Sequence, residues 1–240
     1  VQSGAAPQPD RPQLTPTFTK AAGFDVSAPL RELASAASPG QAQTAGLSFE
    51  RGPAVADRGH SGDGALQRIS GAARAQQQAA AIPGTLANFE GLSNQDNFDT
   101  FGFRVNPPDP VGDVGTNHYV EMINLVFGVY SKTGTLLLGP VDTGSLWANF
   151  PIDECTEPSG DPIVIYDQFA DRWILTQFTT RGINFPDEPL NLFYNCVAIS
   201  QTGDPTGAYY RYAFITQADP ELPGGTFFPD YPKYGVWTNS

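Results

Sequence analysis

The stretch from Gly160 to Phe178, "GDPIVIYDQFADRWILTQF", decides the fold. Ile163–Tyr166 is a short apolar run of β-branched and aromatic residues, "DQFAD" (167–171) is a turn, and Arg172–Phe178 runs back in the same style. Runs of four to eight such residues separated by Asp- and Gly-rich breaks predict antiparallel strands. Two more follow: "LFYNCVAIS" (192–200) and "AYYRYAFIT" (208–216), joined by the turn "QTGDPTG" (201–207). Together they predict a four-stranded antiparallel meander, the size of one propeller blade.

Upstream of it, His118–Tyr130, "HYVEMINLVFGVY", predicts a β run with a bulge or bend at Gly128. A tight turn at Lys132–Gly134 leads into a second strand at Thr135–Leu138. Downstream, "FPDYPKYGVWTNS" (228–240) opens as if another such unit begins. An acidic turn precedes each β run: Asp113 in "GDVGTNHYVEMIN", Asp161 in "GDPIVIYDQ" and Asp230 in "PDYPKYGVW". The first two aspartates are 48 residues apart and the next two 69, with room for insertions at 181–191 and 218–228. Four short strands and their turns need about 40–50 residues. The expected fold is therefore all-β, with propeller-like blades of antiparallel meanders incomplete in this chain. A β-sandwich with long loops fits the strand count nearly as well.

Composition divides the chain at about residue 84. Of the 28 aromatic residues, three (Phe18, Phe24, Phe49) lie in residues 1–88. Aromatic rings carry much of the area that builds a core. Residues 1–83, with "GAAPQPDRPQ" and "GAARAQQQAAAIPG", read as a low-complexity linker or pro-region, disordered or weakly helical. Short helices are expected at 28–36 and 65–81, draped on the domain if ordered at all. Residues 84–240 form the folding domain. Charge divides likewise: seven Lys/Arg face six Asp/Glu in residues 1–88, but six face nineteen in the remainder, within a total of −12. This acidity argues against nucleic acid as a partner and against attraction to an anionic membrane. No run reaches the 18 or so apolar residues of a membrane span. The N-terminus has neither a basic nor an apolar signal region, and starts without Met as a processed or trimmed chain would.

The motifs "PPDPVGDVGTNHYVEMIN", "GDPIVIYDQFADRWILTQF", "CVAISQTGDPTGAYYRYAF" and "FPDYPKYGVW", in that order, resemble the N-terminal portion of a group of secreted bacterial proteins. In that group the first motif opens a β-propeller-like domain, often joined to adhesion-type or sorting modules. The resemblance covers about residues 84–240. It implies a secreted, extracellular or bacterial cell-surface location. It also implies that the C-terminal remainder of the same polypeptide, or another copy, completes the domain, because a closed propeller takes at least four blades. "SQTGDPTGAYY" is similar to the Asp-box turn of sialidase-type propellers, but Pro205 follows the Asp and Tyr209 stands where Trp is usual.

Cys155 and Cys196 lie either side of this second meander's first strands, with no CxxC spacing and no nearby His. A disulfide between them is the expected state, and one suited to an oxidising compartment. Asp109 and Asp113 offer hard oxygens of the kind Ca²⁺ takes, although no EF-hand spacing is present. Turn capping is the more ordinary role for such aspartates, so the expected cofactor is none or Ca²⁺. No catalytic set emerges. His118 is the sole histidine after residue 84, no G-x-S-x-G elbow occurs, and the arginines do not repeat in phase. Asp161 and Asp230, with the aromatic residues Tyr209 and Trp237, are the candidate ligand-binding positions, an extracellular glycan being the candidate ligand. The function expected is a non-catalytic binding or structural module. A sialidase-like glycoside hydrolase completed by further blades is the alternative.

Overall fold

The computed structural model describes residues 19–36, 84–180, 192–216, 218 and 224–238. Among the described residues nine strands, numbered in chain order, form two antiparallel sheets. β2 (Val111–Val114), β3 (His118–Ile123), β4 (Val126–Ser131) and β5 (Leu136–Asp142) make a four-stranded meander. β6 (Ile163–Asp167), β7 (Arg172–Phe178), β8 (Tyr194–Ser200) and β9 (Tyr209–Ile215) make the second meander, in the order read from the sequence. The protein is thus all-β in antiparallel sheets, with few helices.

The second sheet gains a fifth strand from far upstream: β1 (Gly23–Val26) pairs antiparallel with β9. Four residues in an Ala/Pro-rich surrounding leave no compositional trace, so this strand was not legible. What holds it is a charge. Arg211, on the inner face of β9 and only 3% exposed, donates Nε to Asp25 Oδ1 (2.8 Å) and Nη2 to Asp25 Oδ2 (2.6 Å). Its Nη1 donates to the carbonyls of Leu146 and Ala148, and the guanidinium lies 5.3 Å from the centre of the Phe150 ring. The planar fork suits this bidentate geometry. Helix α1 (Leu30–Ala36) follows and is draped on the domain as expected, with Leu30 wholly buried. The helix expected at 65–81 lies outside the described residues.

His118–Tyr130 is a hairpin rather than the continuous run expected. Ile123 pairs with Val126, and Leu125 takes a left-handed φ of 78° at the turn. Apolar sequence alone conceals this turn, because its determinants are tertiary and converge on Asn124. The expected irregularity at Gly128 is present in the pairing with β5, where Gly139 and Pro140 lie between the partners of Phe127 and Val129. β5 consequently runs on to Asp142, beyond the expected Leu138. The turn at 132–134 forms as read, Gly134 supplying the positive φ of 88°.

The core lies between the sheets. Val120, Met122, Phe127 and Val129 of the first sheet join Trp173, Leu175, Ala198 and Ala213 of the second, with Trp147 and Phe150 from the connecting segment. That segment carries a 3-10 turn (Thr143–Trp147), capped by Asp142 on Gly144 N–H, and a short helix at Asp153–Thr156, where Cys155 sits. Cys155 and Cys196 form a disulfide, with S–S 1.95 Å and Cα–Cα 5.9 Å.

The second sheet is apolar on both faces. Opposite the Arg211–Trp173 face, cross-strand register places Val26, Tyr210, Ile199, Ile174 and Ile165 in one row, and Phe24, Tyr212 and Val197 in the next. A sheet with one face in water would alternate apolar with polar. Residues 226–228 cover part of this second face: Phe228 packs edge-on against Phe178 (4.8 Å) and Phe193 (5.3 Å). Phe24 and Val26 remain 54% and 49% exposed.

Two outcomes test these ties. Replacing both cysteines by Ala is expected to lower stability by about 4 kcal/mol, the chain-entropy value for a loop of this length, measured by denaturant unfolding. Asp25→Ala strands a buried guanidinium, and is expected to lower it by about 3–5 kcal/mol in the same measurement.

Candidate functional site

The turn at Asp161 meets the turn at Asp230–Tyr231 and the turn at Asp109, while Asp113 lies elsewhere. Asp109, Asp161 and Tyr231 each precede a proline, and each adopts a left-handed φ, of 42°, 44° and 54°. In backbone conformation the counterparts of Asp161 are therefore Asp109 and Tyr231. A closed hydrogen-bonded ring joins them. Asn124 Nδ2 donates to Asp109 Oδ2 (2.8 Å) and to Pro107 O. Asn124 Oδ1 accepts from Asp161 N–H (2.8 Å), and Asp161 Oδ2 accepts from Tyr231 N–H (2.9 Å). The Tyr231 hydroxyl closes the circuit on Asp109 Oδ1 (3.3 Å).

Burial pushes the Asp161 carboxyl up to about 6, with the nearby Asp109 and Asp230 charges adding to the rise and the Tyr231 N–H opposing it. The Asp230 carboxyl lies beside that of Asp161. Asp113 stands apart from the ring: its Oδ2 accepts from Tyr166 N–H (2.8 Å) and ties β2 to β6. The ring oxygens of Asp109 and Asp161 thus face N–H and O–H donors, an arrangement of capped turns. Among the described residues no group of three or more His, Cys, Asp or Glu side chains is placed to hold a metal ion.

Of the aromatic candidates, Tyr209 is wholly buried, and its hydroxyl donates to Pro205 O (2.7 Å) to fasten the turn below it. The residue of that motif facing outward is Tyr210, at 38% exposed. Trp237 is 67% exposed and meets Phe169 edge-on at 6.5 Å. His118 Nδ1 is buried with no hydrogen-bond partner among the described residues.

A cleft not anticipated from the sequence opens beside β2 and β3, with a volume of about 660 Å³. Leu86, Phe89, Val114, Tyr119, Glu121 and Lys132 line it, with Thr85 and Asn88 at its mouth segment. Glu121 is 8% exposed; its Oε2 accepts from Leu92 N–H (2.8 Å), and the Tyr119 hydroxyl lies close enough to influence its charge. Burial holds the Glu121 carboxyl above its ordinary range and raises Tyr119, while Tyr130 behind them is pushed up to about 12, again chiefly by burial. Two glycines make the space. A Cβ at Gly91 would lie 1.9 Å from Glu121 Oε2, and one at Gly112 would lie 2.6 Å from the Tyr119 hydroxyl. The one sequence signal was an acid inside a run of apolar strand residues, which pairing then sets opposite Gly112 and Gly128.

No protein-family model matches the chain, and no curated protein or solved structure matches it.

The raised carboxyls give the fold a definite pH dependence. A carboxyl that binds its proton more tightly folded than unfolded contributes stability in full below its ordinary pKa, and loses it as pH rises through the folded value. For Asp161 that window runs from about 4 to about 6. The melting temperature is expected to be higher at pH 5 than at pH 7.5. Asp161→Asn should narrow the difference without abolishing it, because Asp142 is also raised to about 6. Equal narrowing by Asp113→Asn would contradict the assignment to Asp161.

Proposed function

We propose that this chain is a non-catalytic binding or structural module, secreted or displayed on a bacterial cell surface, and that its sheets are the first blades of a propeller-like domain. The observation that carries the non-catalytic reading is where its charges are spent. Arg211 is consumed by Asp25 and two carbonyls, Arg172 by the carbonyls of Ala170 and Asp171, Arg104 by Gln95 and the Phe98 ring, and Arg31 faces Asp204 at 3.9 Å. These four arginines sit at separate structural joints. A sialidase-like site would require an arginine cluster, and a glycosidase of the usual kind two opposed carboxyls; one carboxylate, Glu121, lines the cleft.

Three features support the propeller-like reading. The edge strands β2 and β6, each the first of its meander, are bonded to each other through Asp113 and Tyr166 N–H. The turns leading into the sheets meet in one ring with the turn at Tyr231. The second sheet also has a second apolar face, partly covered by residues 226–228, on which a further sheet would pack. That sheet would come from the C-terminal remainder of the same polypeptide or from another copy. The disulfide suits an oxidising compartment, and no described helix is long and apolar enough to cross a membrane.

A glycan array run beside a fluorogenic glycoside panel tests this function. Retention of glycans with no release of fluorophore is expected. Turnover would overturn the non-catalytic reading in favour of a hydrolase.

A further inference from the structure

We propose that the cleft walled by Phe89, Tyr119, Glu121 and Lys132 is a binding site for a neutral saccharide unit. This rests on the binding-module reading and assigns it a location and a ligand class. The cleft volume of about 660 Å³ lies within the range of small-ligand sites, roughly 300–1,000 Å³.

The chemistry of the walls selects the ligand. Phe89 and Tyr119, packed edge-on at 5.9 Å, give aromatic surface against which the C–H face of a sugar ring can lie. Leu86 and Val114, 105% and 54% exposed, continue the apolar wall where water now contacts it. Within that wall stands one acceptor group held in fixed orientation. Leu92 N–H pins the Glu121 carboxylate through Oε2; the carboxylate has about four lone-pair sites and so retains acceptor capacity towards the cleft. Lys132 supplies donors, and Thr85 and Asn88 supply groups that both donate and accept.

One carboxylate and one ammonium leave the lining without net charge. An anionic ligand would meet Glu121, and an amine would meet Lys132. Hydroxyl groups, each donor and acceptor at once, satisfy both. The glycines behind the wall fit the same purpose: with any side chain at Gly91, Glu121 would lose its place.

Saturation-transfer NMR and calorimetric titration with neutral gluco-, manno-, galacto- and N-acetylglucosamine oligosaccharides test the site, using the full chain. Binding by at least one series is expected. Lys132→Ala should weaken it about fivefold and Glu121→Gln about tenfold, with the melting temperature of Lys132→Ala unchanged. Glu121→Gln keeps an oxygen for Leu92 N–H; should it nevertheless fail to fold, Lys132→Ala and Asn88→Ala decide the matter at the exposed rim. Glycan binding that survives these substitutions undiminished overturns the cleft and leaves the module reading standing. So does loss of binding in Trp237→Ala alone, which would place the sugar on the Phe169–Trp237 pair. Failure of the wild-type chain to bind any saccharide, neutral or charged, overturns both.

Discussion

The carboxamide of Asn124 is the interaction on which the arrangement of this protein depends. It sits at a hairpin turn of the first sheet and is 6% exposed. With one group it donates to the turn that leads into that sheet, and with the other it accepts from the turn that leads into the second. An amide is suited to the task because it carries donor and acceptor on one rigid plane. Aspartate there would set a third carboxylate against Asp109 and Asp161, and an apolar residue would leave buried backbone groups unpaired, a state that costs about 1–3 kcal/mol each. The Asp161–Tyr231 bond extends the same logic one turn further.

Around this hub, polar chemistry is used chiefly to join pieces that sequence separates. Arg211 fastens a strand 186 residues upstream. The disulfide fixes a short helical turn to β8. Asp113 links the edge strands β2 and β6 of the two sheets. Each sits where apolar packing alone would not choose between alternative placements, since Val, Ile and Phe faces attract without direction. The result is that side chains resembling catalytic equipment are occupied in construction, while Glu121, although it too anchors a segment, opens onto solvent-reachable space.

The meander from Ile163 to Ile215 was legible because its strands are short, β-branched and aromatic, and punctuated by Asp, Gly and Pro at each reversal. The Cys155–Cys196 pair was legible for a similar reason, as two thiols placed about one hairpin apart in an all-β region. The hairpin at Asn124–Leu125 is hard to read because Asn124, a common turn former, stands alone inside a long β-type run, and Leu125 beside it takes a left-handed φ that its residue type does not suggest. β1 escaped because its stabilising partner, Arg211, belongs to another part of the chain. Of the candidate site residues, Asp161 lies in the junction of the turns and Tyr209 in the core. Alternation along β9 sets Tyr209 and Tyr210 on opposite faces, and only the register with β8 shows which face is inward.

By itself, then, the sequence determined the class of structure: antiparallel strands, their turns, an acidic surface and an aromatic-rich domain after a poor N-terminal region. These follow from local preferences and composition, which act between near neighbours. Tertiary structure alone decided which strand joins which sheet, which aspartates meet, and that Glu121 stands in a cleft between two glycines. Those outcomes depend on register and on bonds between residues tens to hundreds of positions apart. A one-residue shift in pairing reverses the face of every side chain in a strand, and local preference is nearly blind to such a shift.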